Sequence, residues 1–262
     1  MQAPIENIDF GLTANDYLKY RAGFPDSLFS ELAKQGIGTD QQRILDIGTG
    51  TGTLARGFAL NGNSLVGIDP AEEMLIAAAE IDKNYKVDIE YKVSSAEEIK
   101  LESNQFDIIS AGQCWHWLDA EKATGEIKRL LKPEGTLVVC YYDWIPLKGN
   151  VVRRTEEIIE SYNPDWKAGN LTGIHPAIFR DLGNAGFHSL SSFTYDEAAI
   201  YSHAAWRGRI RASAGVGASL NADEVKRFDI DLAAMLNEEF PDQPMDVPHR
   251  VFALIAKPSQ FT

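Results

Sequence analysis

The chain has 262 residues, enough for one large α/β domain with insertions or for two small domains. A formal charge of −13 argues against a nucleic-acid or anionic-membrane binder, because phosphate-bearing surfaces would repel it. Its only two cysteines, Cys114 and Cys140, form no CxxC pair, which excludes a disulfide scaffold and a zinc knuckle, and no metal site is expected. The opening MQAPIENIDFGL has neither the basic start nor the apolar core of a signal peptide. No apolar run reaches the roughly 18 residues of a membrane-spanning helix. A cytoplasmic protein is expected.

In chain order, residues 14–35 read as helical, with Tyr17, Leu18, Tyr20, Leu28, Phe29 and Leu32 apolar and Pro25-Asp26 restarting the helix. From Arg43 strands and helices alternate. RILDIG is a strand, TLARGFALNG a helix closed by Gly62, SLVGID a strand, and PAEEMLIAAAEID a helix with Pro70 at its start. VDIEYKV, a short helical turn at SAEEI, FDIISA, a helix from DAEKATGEIKRLL to Pro133, and the strand GTLVVCYYD continue the rhythm. Several strands are nearly continuous apolar runs, as in a parallel sheet covered on both faces. A doubly wound α/β sheet is expected.

After Asp143 the rhythm breaks. A helical stretch, VVRRTEEIIESY, lies among Trp144, Pro146, Pro164 and Trp166. IHPAIFRDLGNAGF then reads as a helix and HSLSSFTYD as a strand, followed by helices near 199–212 and 222–239 and a last strand, HRVFALIAKP. The expected organisation is a single domain. Residues 1–35 form an N-terminal helical cover, 40–142 a cofactor-binding half, 143–174 and 197–248 cap insertions, and 175–196 with 249–262 complete the sheet.

The stretch RILDIGTGTGTLAR places Asp46 at the end of an apolar strand and glycines at 48, 50 and 52 in the turn that follows. At such a turn, main-chain amides and a helix N-terminus face the ligand site. The spacing does not fit the nicotinamide fingerprint G-x-G-x-x-G, since Thr53 stands where the third glycine belongs. Nor does a Gly-Lys-Ser/Thr follow, as a P-loop requires. Asp46 would repel a pyrophosphate and would be satisfied by an ammonium. Asp69, ending the next strand in VGIDP, stands where a carboxylate accepts from both hydroxyls of a ribose. A molecule with an amino-acid end and a nucleoside end that spans these two acids is S-adenosylmethionine.

The order LDIGTGTG, VGIDPAEEML, SSAEEI, FDIISAGQCWHWLD and LKPEGTLVV resembles class I S-adenosylmethionine-dependent methyltransferases. It is most similar to the small-molecule group that includes trans-aconitate and quinone C-methyltransferases, over residues 14–142. The resemblance implies a seven-stranded, mostly parallel, Rossmann-like sheet with an antiparallel last strand and a helical cap. It implies that Asp46, Gly48 and Gly50 line the methionine end of the cofactor and that Asp69 binds the ribose. Pro70 and Met74 would lie beside the adenine, Ser95, Ala96 and Glu97 would edge it, and Gln113 would sit under the cofactor. Tyr17, Tyr20 and Arg21, in YLKYRAGFP, resemble a Tyr-x-x-Tyr-Arg segment that covers it. The sequence departs from the family pattern at Ser95, where aspartate is common, and at Ala22, where proline is usual.

Around this core the residues offer an acceptor site. His116, in Cys114-Trp115-His116-Trp117 after the fourth strand, is the candidate general base for a carbon or hydroxyl acceptor, or else a histidine wedged between tryptophans. Trp117 is a candidate pocket wall. Arg207 and Arg211, four apart in WRGRIR, are candidates to grip an acceptor carboxylate, or else pair with neighbouring acids on a solvated helix. The expected reaction is in-line methyl transfer to a small molecule chosen by the cap; a non-catalytic cofactor-binding protein is the alternative.

Overall fold

In the computed structural model the described residues are 23–39 and 41–258. Pro25 and Asp26 open the first described helix, α1 (Asp26–Lys34), with proline at the N-cap and the acid in the first turn. The helical stretch expected upstream, with Tyr17, Tyr20 and Arg21, lies outside the described residues.

The alternation then follows as β1 (Arg43–Ile47), α2 (Thr53–Leu60), β2 (Ser64–Asp69), α3 (Glu72–Tyr85), β3 (Ile89–Val93) and β4 (Phe106–Gly112). A 3₁₀ turn at Trp115–Trp117 leads to α4 (Ala120–Leu130) and β5 (Leu131–Trp144). The rest of the chain gives α5 (Val151–Tyr162), α6 (Pro176–Asn184), β6 (Phe187–Tyr201), α7 (His203–Arg211), α8 (Ala222–Glu239) and β7 (Met245–Pro258).

The seven strands form one sheet in the order β3-β2-β1-β4-β5-β7-β6. The pairs β3/β2, β2/β1, β1/β4 and β4/β5 are parallel, and the last strands are antiparallel. This is the expected doubly wound, Rossmann-like sheet. From β1 the chain winds one way to β2 and β3, then returns to build β4 and β5 on the other side. The loops leaving β1 and β4 therefore lead off in opposite directions, the switch point at which sheets of this topology bind ligands.

Three elements differ from the sequence expectation, each for a physical reason. The helix before β5 ends at Leu130, because Leu131 already pairs with Phe106 in the sheet. Pro133, which has no N–H to donate, sits where the register shifts between Phe106 and Ile108. SAEEI forms turns and no helix, with the Ser94 hydroxyl bonding the carbonyls of Ser95 and Glu98. The strand β6 runs on to Tyr201, through residues whose alternating exposure marks a strand.

The described chain divides into two compact units. One comprises 23–142, 175–194 and 251–258; the other comprises 143–174 and 195–250, the stretches where the β/α rhythm breaks. In the first unit Leu45, Ile47, Val66, Ile68, Ile109, Leu137, Val139 and Leu254 form a sheet core joined by Ile127 of α4 and Leu182 of α6. Each such side chain, fully buried, contributes roughly 1.5–3 kcal/mol. The second unit is built on Trp206, which is fully buried and donates its indole N–H to Thr155 Oγ1 at 3.0 Å. There Tyr162 meets Phe228 edge-on at 5.6 Å, and Asn221 with Glu224 forms a capping box for α8. No helix among the described residues is long and apolar enough to cross a membrane.

Candidate functional site

Asp46 lies opposite Gly67 of β2 and Ser110 of β4, the last acidic position before the glycine turn. It is 1% exposed, so it sits beneath the turn and not on its surface. One oxygen accepts from Thr49 Oγ1 and the other from Ser110 Oγ, each at 2.6 Å. Burial pushes its carboxyl up to about 6, against the pull of the Ser110 and Thr49 hydroxyls, and the nearby Asp69 adds to the rise. Among the described residues no lysine, arginine or histidine pairs with it. A buried carboxylate without a cation is stabilised by a ligand that brings one.

Asp69 caps β2 and is half-buried, which raises its carboxyl despite the amides of Ala71 and Gly50 that bond to it. Oδ2 accepts from Gly50 N at 2.9 Å and Oδ1 from Ala71 N at 3.0 Å. Each oxygen thus spends one lone pair on the main chain and keeps another for a ligand hydroxyl. One carboxylate therefore fixes the middle of the turn and presents a bidentate acceptor beside it.

The three glycines of the turn serve different neighbours. All have positive φ: 58° at Gly48, 54° at Gly50 and 75° at Gly52. A Cβ on Gly52 would collide with the Tyr91 hydroxyl, and one on Gly48 would lie 2.8 Å from Cys114 Cβ. Both are therefore glycines for packing. Among the described residues, a Cβ on Gly50 would meet only Met74 Cε, at 3.7 Å. Gly50 is the position where bare main chain is left to a ligand.

Beneath the turn lies a buried bracket that the sequence expectation did not contain. Arg56 of α2 donates Nε–H to Asp82 of α3 at 2.6 Å and Nη2–H to the Thr51 carbonyl at 2.9 Å. Tyr91 of β3 donates its hydroxyl to the other Asp82 oxygen at 2.9 Å, and its burial together with the Asp82 charge pushes the phenol pKa up. The one signal in the sequence is an arginine set among the apolar residues of TLARGFAL.

Of the expected adenine contacts, Pro70 is exposed, while Met74, Ser95 and Glu97 are partly buried and Ala96 is buried. Ser94 N donates to the Asp69 carbonyl at 3.2 Å, which ties this turn to the end of β2. Glu97 accepts from the Asp119 amide at 3.0 Å.

On the β4 side, Gln113 takes a positive φ of 55°, donates its amide N–H to the Cys140 carbonyl and its side-chain N–H to the Tyr142 carbonyl. Cys114 donates Sγ–H to the Ile47 carbonyl at 3.2 Å, clamping this loop to the end of β1. Trp115 is buried and bonds Asp181, whereas Trp117 is 46% exposed. His116 is exposed, and its Nδ1 lies 3.1 Å from the Tyr141 hydroxyl. The structure thus brings Asp46, Gly50, Asp69, Gln113 and His116 to the carboxyl end of the sheet within one unit.

Arg207 and Arg211 belong to the other unit, where both bond the carboxylate of Asp229, Arg207 through Nε at 3.0 Å and Arg211 through Nη1 at 2.7 Å. An acceptor carboxylate at this pair would have to displace that internal partner.

Residues 45–139 match the family model described as a methyltransferase domain. An uncharacterized methyltransferase of Mycobacterium tuberculosis is 28% identical over 155 residues, which is 56% of this chain and 60% of that one. The chain spans six tenths or less of the length of the first curated relatives it matches. Among solved structures, a putative type II methyltransferase from Anaeromyxobacter dehalogenans superposes with a TM-score of 0.62 at 20% identity, over 90% of this chain and 96% of that one. Phosphoethanolamine N-methyltransferase 2 of Haemonchus contortus, solved with phosphomonomethylethanolamine and S-adenosylhomocysteine, gives 0.55 at 22% identity, over 95% of this chain and 57% of that one. At these identities the two structures establish the likeness of fold.

Proposed function

We propose that this chain, whose residues 45–139 match a methyltransferase-domain model, is a class I S-adenosylmethionine-dependent methyltransferase that transfers the methyl group of the cofactor to a small-molecule acceptor. The reading is carried by one observation: among the described residues, two carboxylates, one buried with no cation paired to it and one half-buried, flank a turn bared at Gly50. The cofactor fits this donor set. Its ammonium supplies the charge that Asp46 lacks, and its ribose hydroxyls meet the second lone pairs of Asp69. A dinucleotide would bring two phosphates to the same acids and meet repulsion.

Gly48 and Gly50 would line the methionine end, Pro70 and Met74 would lie beside the adenine, and Ser95, Ala96 and Glu97 would edge it. Gln113 would sit under the cofactor, with Tyr17, Tyr20 and Arg21 as a cover. When bound, the sulfonium supplies an electrophilic methyl carbon, and the chain's tasks are alignment and exclusion of water. The formal charge of −13 favours the approach of a cationic cofactor and disfavours nucleic acid as the acceptor. Trp117 is a wall residue for the acceptor, and His116 is its base.

The test is incubation of the full chain with methyl-labelled S-adenosylmethionine and a mixed metabolite extract. Label should appear in a small molecule as S-adenosylhomocysteine accumulates. Bound cofactor with no label transferred would instead establish a non-catalytic binding protein.

A further inference from the structure

The ion pair beneath the glycine turn is a costly way to join two helices. Arg56 and Asp82 are 6% and 4% exposed, and they meet at 2.6 Å through Nε and Oδ1. Taking two such charges out of water is expensive, and an apolar pair of the same volume would hold α2 to α3 as well or better. What an apolar pair would lack is the second arm of the guanidinium. Nη2–H bonds the Ala78 carbonyl at 3.4 Å and the Thr51 carbonyl at 2.9 Å, and Thr51 stands between Gly50 and Gly52 in the turn. Tyr91 reaches the same turn from β3. Its ring lies against Gly67 of β2, where a Cβ would stand 2.7 Å from Cε1, and its hydroxyl fills the space a Cβ on Gly52 would take. That hydroxyl bonds the second Asp82 oxygen at 2.9 Å. The turn is therefore gripped at Thr51 and Gly52 from beneath and at Gly50 by Asp69.

We propose that Arg56, held by Asp82 and Tyr91, is a positioning residue for the cofactor: its grip on the Thr51 carbonyl sets the turn so that the Gly50 amide engages Asp69 and Asp69 faces the ribose. The proposal rests on the reading of the site given above. A turn with glycines at 48, 50 and 52, all at positive φ, has little conformational preference of its own, so its shape must be imposed from outside. The guanidinium is suited to impose it, being a planar fork whose donors keep fixed angles to one another. With Nε locked on Asp82, the direction of Nη2–H is set, and the Thr51 carbonyl follows it. Asp82 is held in turn, because Tyr91 occupies its other oxygen. The charges are thus retained for the placing of main chain, and a misplacement of about 1 Å at a binding group can cost as much as 100-fold.

The test separates positioning from fastening. In the full chain, Arg56→Met combined with Asp82→Leu removes both charges and keeps the volume, so the urea midpoint should return close to that of wild type. The Thr51 carbonyl is then left without its guanidinium. In the ligand-free protein, hydrogen exchange at the Gly50 amide should quicken at least about tenfold. Calorimetry with S-adenosylhomocysteine should find affinity at least about tenfold weaker. Arg56→Lys keeps a charge against Asp82 but gives up the fork that spans Asp82 and Thr51, and it should weaken binding in the same direction. Were the bracket a fastening alone, binding would recover together with stability. Affinity within about twofold of wild type in either variant would therefore overturn the proposal and leave the methyl-transfer reading standing. Failure of the wild type to bind S-adenosylhomocysteine would overturn both.

Discussion

At the residue scale, Asp46 carries a carboxyl buried at the end of β1. Its carboxyl rises from 3.8 to about 6 on burial, so between those pH values the folded state binds more protons than the unfolded state. Stability therefore falls as pH rises through this window, by about 3 kcal/mol in all, and the full penalty stands above it. Asp46→Asn removes the penalty, with the Ser110 or Thr49 hydroxyl turning to accept from the amide. Urea unfolding of the ligand-free protein should find the variant gaining on the wild type as pH rises from about 4 to about 6. A stability gap independent of pH would remove the buried charge from the account. The glycines can be separated in the same way. Gly50→Ala has room for its Cβ and should cost stability only the roughly 1–2 kcal/mol of a left-handed residue, while weakening cofactor binding. Gly52→Ala meets the Tyr91 hydroxyl as well, so it should destabilise more strongly, as unfolding curves of the two variants would show.

At the scale of elements, the turn is held from beneath by the bracket that joins α2, α3 and β3. Asp82→Ala leaves the Arg56 guanidinium buried and unpaired, and unfolding experiments should show a loss of roughly 3–5 kcal/mol. Arg56→Met combined with Asp82→Leu should recover most of that loss, because it removes both charges and keeps the volume. A single variant within 1 kcal/mol of wild type, on the scale of an exposed pair, would show that the bracket is solvated. Elements were legible in the sequence where one local signal dominates. The apolar runs of β1 and β4 and the proline starts of α1 and α6 are of this kind. The extent of β5 was not, because Leu131 is a strand residue only through its pairing with Phe106, a partner 25 positions back. The last turns of β6 were hidden likewise, since their alternation is short and half polar.

Across the whole molecule, the same division between local and distant causes decides how much of the site could be read in advance. The places of Asp46 and Asp69 at the ends of β1 and β2 were legible because both stand where an apolar run stops. Ser110, which shares the Asp46 proton balance, was not; it reaches Asp46 only through the register that sets β4 against β1. Tyr141 is hidden for the same reason, as one more aromatic in VVCYYDW until β5 is placed beside the loop after β4. The arginines of WRGRIR looked like a ligand clamp on their own helix, and their partner Asp229 comes from α8. The claim at the centre is that the full chain reads a cation and a ribose together, not a pyrophosphate. Isothermal titration with S-adenosylmethionine, S-adenosylhomocysteine and NAD, on wild type and on Asp69→Asn, tests it directly. Both sulfur nucleosides should bind one per chain while NAD gives no binding heat, and Asp69→Asn should weaken binding about tenfold or more, the scale of one charged hydrogen bond. Binding of NAD with neither sulfur nucleoside bound would contradict the account.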